Sequence, residues 1–153
     1  MRIKYLPLLV ILCASLCANA QTEKSQPVTI PKFEKPPTID GKLDEEVWQR
    51  AAVLKDFYQI QPGDNTPPSK PTEVLIGFDP QFLYIAFKAT DEPDKIRATV
   101  AKRDNIFNDD YVGFMLDTFN DKRKAFEIFF NPFGIQATAS SPKDVAKTSA
   151  SIS

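Results

Sequence analysis

Two stretches in which apolar and polar residues alternate, separated by only two residues, constrain the fold more than any other feature of the sequence. Residues 72–79 read TEVLIGFD and residues 82–89 read FLYIAFKA. Because side chains along a strand alternate between its two faces, this pattern predicts a β-hairpin that turns at Pro80 and Gln81. One apolar face is expected to carry Val74, Ile76, Phe78, Leu83, Ile85 and Phe87.

A second pair of alternating stretches follows. Residues 111–119 (YVGFMLDTF) and 124–131 (KAFEIFFN) flank a polar turn at residues 120–123. The side chains expected to face the core are Val112, Phe114, Leu116, Phe126, Ile128 and Phe130. Two hairpins with little helix between them predict an all-β chain folded as an antiparallel β-sandwich.

The remaining segments are shorter or irregular. Residues 44–52 predict a short helical turn with Asp44 as its N-cap, and residues 91–100 predict a turn with a helical piece. The stretch 28–33 contains Pro31, which restricts it to an edge strand if it is extended. The predicted divisions are a signal peptide (1–20), a polar leader with an edge strand (21–35), the β-domain (36–136) and a low-complexity tail (137–153).

The N-terminus predicts export. Arg2 and Lys4 precede an apolar run, and Ala18-Asn19-Ala20 fits the small-x-small rule for signal cleavage. Both cysteines lie within this segment, so the mature chain would contain no disulfide, thiolate nucleophile or cysteine-based zinc site. These features favour a bacterial periplasmic, outer-membrane-associated or secreted location.

Charge and composition exclude several classes of function. Removal of Arg2 and Lys4 lowers the 19 Lys and Arg to 17 against 20 Asp and Glu, a net charge of −3, which argues against nucleic-acid binding. The chain has no histidine, which excludes Ser-His-Asp and Cys-His catalysis and histidine-ligated zinc or haem.

An acid-rich stretch, RDNIFNDDYVGFMLD at residues 103–117, is the main candidate site. Nothing holds two carboxylates at the fixed separation that glycoside hydrolysis requires, since Asp109 and Asp110 are adjacent and point to opposite faces of an extended chain. Asp104, Asn108, Asp109 and Asp110 could supply some calcium ligands, but their spacing matches no EF-hand loop. A sugar-binding edge around Phe107, which would supply an aromatic platform, and a solvated loop are the other two interpretations.

Several segments together resemble the family 9 carbohydrate-binding module, in the variant found at the N-terminus of large bacterial proteins with a C-terminal outer-membrane-barrel-like region. The similarity covers residues 36–136 and rests on IDG-x-LDE-x-x-W (residues 39–48), LYIAF (83–87) and DDYV (109–112). It implies a DOMON-type β-sandwich with an immunoglobulin-like or jelly-roll-like arrangement. It also implies binding of cello- or xylo-oligosaccharides, and calcium in some members.

The resemblance assigns residues as follows. Trp48, Asp40 and Gly41 belong to a structural element, and Phe107 occupies the position of a tryptophan that stacks on the sugar. Asp110 aligns with the acid before the strand and is a candidate metal ligand or structural acid. From their own donors and acceptors, we expect Arg103, Asp104, Asn108 and Asp109 to be the partners for sugar hydroxyls. Such modules are non-catalytic and often accompany xylanases, which links them to polysaccharide breakdown.

The chain departs from the family pattern after the NPFG turn at residues 131–134, because the family domain continues with further strands and a second aromatic residue. We therefore expect a sandwich that is truncated at its C-terminus and exposes strand edges. The alternative function is that of a periplasmic interaction domain that binds no sugar. It would belong to an outer-membrane protein with a C-terminal barrel-like region.

Overall fold

The computed structural model describes residues 27–60, 62–121 and 123–141. The signal peptide predicted at residues 1–20 and most of the tail predicted from residue 137 lie outside these ranges. Within them the chain is all-β, with six strands and one helix of four residues. The elements are α1 (Glu46–Gln49), β1 (Ala52–Leu54), β2 (Thr72–Phe78), β3 (Leu83–Ala89), β4 (Val112–Leu116), β5 (Ala125–Phe130) and β6 (Gln136–Ser141). No helix in the described part of the chain is long and apolar enough to cross a membrane.

The strands form two antiparallel sheets, ordered β1-β2-β3 and β4-β5-β6. Both predicted hairpins are confirmed: Ile76 lies opposite Ile85 in the first, and Phe114 lies opposite Ile128 in the second. Since directly opposed residues share a face, each hairpin carries the apolar face that its alternation predicts.

The best-buried core lies on the other face of the first sheet. Phe33, Trp48 and Tyr84 form this cluster, and Leu75 packs against it. The Phe33 ring stacks on Tyr84 and meets Trp48 edge-on, both with ring centroids 5.9 Å apart. Gly77 is buried beneath Phe33, where a Cβ atom would overlap the ring. The lone tryptophan therefore packs within the core.

The second hairpin's apolar face is less buried than its pattern predicts. All six of its members are only partly buried or exposed, with Phe126 55% exposed. The physical reason is that Val112 and Phe130, together with Phe87 of the first sheet, border an open cavity. The predicted core position is therefore corrected: Val112 and Phe130 lie in a cavity wall, and the other four side chains of this face are only partly buried or exposed.

Several local predictions also need correction. The helix begins after Glu45, which is the N-cap in place of Asp44 and makes no side-chain capping bond. Residues 91–100 contain a turn and no helix, and the predicted edge strand at 28–33 is a single bridge from Lys32 to Phe78. The predicted tail begins later than residue 137, since 137–141 pairs with β5. Its backbone bonds and the buried Ala137 outweigh its lack of large apolar side chains.

Two residues of the IDG element form a turn before α1. Gly41 has a φ of +80°, a conformation that suits glycine. The carboxylate of Asp40 accepts a 2.9 Å hydrogen bond from the backbone N–H of Lys42. The pair therefore shapes the approach of the chain to the helix that carries Trp48.

Candidate functional site

The segment 103–111 is a loop held against the second sheet at two points. Ile106 is the anchor at its centre, with 1% of its surface exposed. Asp104 has a φ of +67°, and its backbone N–H donates to the carbonyl oxygen of Gln136 over 3.1 Å. Its carboxylate accepts hydrogen bonds from the backbone N–H and the hydroxyl of Thr138, at 2.8 and 3.3 Å. Asp104 thus ties the loop to strand β6.

Asp109 lies in the interior, with 5% of its surface exposed. Its carboxylate accepts hydrogen bonds from the Thr99 backbone N–H at 3.0 Å, the Thr99 hydroxyl at 2.9 Å and the Asn131 side-chain amide at 2.9 Å. The bond from Asn131, followed by the backbone bond from Thr99, lowers the pKa of Asp109 below its usual range. Asp109 is therefore an ionised internal group whose oxygens are engaged by the protein itself.

Asp110 faces Arg97. Its carboxylate accepts from the Arg97 backbone N–H at 2.8 Å and from the guanidinium at 3.0 and 3.3 Å. Its own backbone N–H donates to the Arg97 carbonyl oxygen at 2.9 Å. This candidate metal ligand is paired with a cation, and the described residues contain no cluster of three or more acidic, His or Cys side chains that could hold a metal.

Phe107 is the exposed aromatic residue of the loop. Half of its surface is accessible (51%), and its ring meets those of Tyr111 and Phe129 edge-on with centroids 5.5 Å away in both cases. Edge-to-face contacts of this kind are favourable and orient the rings. The three rings form what we term the aromatic triad, which leaves half of the Phe107 surface accessible to solvent.

The other predicted ligand partners differ in availability. The Arg103 side chain is 62% exposed, and Asn108 is exposed with no side-chain hydrogen bond to the described residues. The carboxylates of Asp104 and Asp109 already accept hydrogen bonds from other parts of the protein. The structure therefore leaves Arg103, Phe107 and Asn108 accessible, while Asp104 and Asp109 position the loop.

Sequence reasoning missed the supporting residues. Phe129 lies on the face of β5 opposite the predicted core face, which the hairpin register alone would have indicated, and Tyr111 directly precedes β4. No sequence pattern indicates that Thr99 and Asn131 contact Asp109, because they lie 10 and 22 residues from it along the chain.

A cavity of about 1160 Å³ lies on the other side of the second sheet, between β4 and β5 and the end of β3. Tyr111 borders both regions, since it lines the cavity and also contacts Phe107. The chain therefore offers two candidate binding surfaces, the exposed aromatic triad and the cavity.

Comparison of the chain with protein-family models, with curated proteins and with solved structures finds no match.

Proposed function

We propose that this chain is an exported, non-catalytic carbohydrate-binding module with a β-sandwich fold of the family 9 type. The observation that carries the proposal is the aromatic triad, in which Tyr111 and Phe129 hold the half-exposed ring of Phe107 edge-on. A fixed, exposed ring suits the C–H face of a pyranose, because the buried sugar area is gained with little loss of side-chain freedom.

Polar groups near the ring would supply the specificity. Arg103 carries several donors and Asn108 carries both a donor and an acceptor, which suits neighbouring sugar hydroxyls. Both side chains lie on the loop that carries Phe107 and are exposed. We assign the ligand to β-linked glucose or xylose oligosaccharides and the location to the bacterial periplasm or cell surface.

The test is the affinity of the chain for cello- and xylo-oligosaccharides by isothermal titration calorimetry. Phe107→Ala should weaken binding about tenfold, since aromatic contacts of this kind contribute on the order of 1 kcal/mol beyond their buried area. Phe82→Ala is the matched control, because Phe82 is 61% exposed at the tip of the first hairpin, away from the candidate loop. Equal affinity of Phe107→Ala and parent would remove Phe107 from the site, and no heat with any glycan would overturn the proposal.

An interaction domain of an outer-membrane protein is the second candidate. One observation favours it: large apolar side chains are 39–77% exposed at the tips of both hairpins, namely Phe78, Phe82, Leu83, Leu116, Phe119 and Phe126. Clustered exposed apolar side chains commonly mark protein contact surfaces. The glycan titration separates the two candidates, because this alternative predicts no sugar affinity.

A further inference from the structure

The cavity between the two sheets has aromatic walls. Phe57 and Tyr58 line it from the loop after β1, Phe87 from β3, and Tyr111 and Phe130 from the second sheet. Its volume of about 1160 Å³ is slightly larger than the usual size range of ligand pockets. Five aromatic rings from three parts of the chain therefore surround one space.

The charged groups at the rim of the cavity neutralise one another. Arg97 is paired with Asp110 at 3.0 Å. The ammonium groups of Lys70 and Lys95 share the carboxylate of Glu92, at 3.0 and 2.6 Å. Asp91 also lines the cavity, and Glu92 lies beside it, so the three cationic side chains are matched in number by three acidic ones.

We propose that this cavity is a second binding site, which adjoins the Phe107 surface at Tyr111, for a neutral molecule that contains planar rings. Aromatic side chains in a cavity wall favour apolar ligands with planar rings, because stacked and edge-on ring contacts add to the gain from burying apolar area. An anionic ligand would have to compete with Asp110 and Glu92 for the rim cations. A neutral ligand avoids this competition.

Two matched fluorescent probes test the site and its charge preference. N-phenyl-1-naphthylamine is neutral, and 1-anilinonaphthalene-8-sulfonate has the same ring system with an added sulfonate. We expect the neutral probe to bind saturably with one molecule per chain and about tenfold more tightly than the sulfonate. A preference for the sulfonate would overturn the assignment to a neutral ligand.

A cavity-filling variant shows where the probe binds. Ala89 lines the cavity from an exposed position at the end of β3, so Ala89→Trp should fill part of the space without disturbing buried packing. We expect it to weaken binding of N-phenyl-1-naphthylamine about tenfold or more, with its thermal unfolding unchanged.

Phe119→Ala is the control for adsorption to exposed apolar surface, because Phe119 is 77% exposed at the tip of the second hairpin and does not line the cavity. It should bind the probe like the parent. Non-saturable binding, or equal affinity of Ala89→Trp and the parent, would overturn the proposed site. If Ala89→Trp unfolds, Thr90→Trp, which lines the same space from another exposed position, provides the same test.

Discussion

At the residue scale, the clearest feature is that the carboxylates of this chain serve the protein in different ways. Asp79 accepts a 2.6 Å hydrogen bond from the Tyr84 hydroxyl at the edge of the core cluster. Asp109 accepts only from groups that belong to the loops around it. Adjacent acids in the sequence therefore do not form a shared acidic site, since Asp110 turns to Arg97 instead.

The hydrogen bond between Tyr84 and Asp79 leads to a prediction at alkaline pH. That bond, followed by burial, raises the pKa of Tyr84 to about 12. The protonated phenol makes the bond, so its contribution to stability is complete below the unfolded-state pKa of about 10 and is lost as pH rises through the folded-state pKa. Titration of tyrosinate absorbance should show one late-ionising tyrosine.

Tyr84→Phe should remove that late phase, and Tyr58→Phe is the matched control because Tyr58 is 56% exposed. A late phase that survives in Tyr84→Phe and disappears in Tyr58→Phe would show that the assignment is incorrect.

At the element scale, packing of one strand against the core depends on a missing side chain. Gly77 in β2 lies directly beneath the Phe33 ring. Leu75 lies on the same face of the strand as Gly77, and Val74 lies on the opposite face. Alternation predicted the hairpin well, yet it could not predict that the face with the smaller residues carries the core.

Gly77→Ala should therefore destabilise the chain by about 1–3 kcal/mol, the typical cost of overpacking a tight contact. An alanine in an unobstructed strand would instead be favourable relative to glycine. The measurement is the free energy of unfolding in urea. In a Phe33→Leu background the smaller side chain should accommodate the added methyl group, so the cost of Gly77→Ala should fall. An unchanged cost in that background would contradict the proposed contact.

At the scale of the whole molecule, side-chain hydrogen bonds hold the segment that connects the two sheets, residues 90–111. Asn131 is 4% exposed, and its amide nitrogen donates to the Thr99 carbonyl and to Asp109, both at 2.9 Å. Its amide oxygen accepts from the backbone N–H groups of Phe133 and Ile135, at 3.1 and 3.0 Å. One buried side chain thus links the connecting segment, the candidate loop and the turn after β5.

Asn131→Ala should destabilise the chain by about 3 kcal/mol, because it leaves several buried polar groups without partners. Asn105→Ala is the control, since Asn105 is exposed on the candidate loop 103–111. Thermal and urea unfolding monitored by Trp48 fluorescence would measure both. A stability change no larger than that of Asn105→Ala would show that the network contributes little.

The sequence by itself determined the all-β class and the two hairpins, because strand alternation and short polar turns are local signals with a period of two. The strand β6 escaped prediction, since Ala137 and its polar neighbours acquire their extended form from pairing with β5. The sequence also predicted that Phe107 lies in a loop. The rings that orient it, Tyr111 and Phe129, meet it only when β4 and β5 pair.

Only the tertiary structure decided which acids are available to a ligand and which are internal. The sequence lists Asp104, Asp109 and Asp110 in one polar stretch, whereas their partners Thr138, Asn131 and Arg97 lie 34, 22 and 13 residues away along the chain. The aromatic cavity likewise draws its walls from segments far apart in sequence. Local patterns specify strands because they depend on neighbouring residues, while burial and pairing of charges depend on distant segments that meet only in the folded chain.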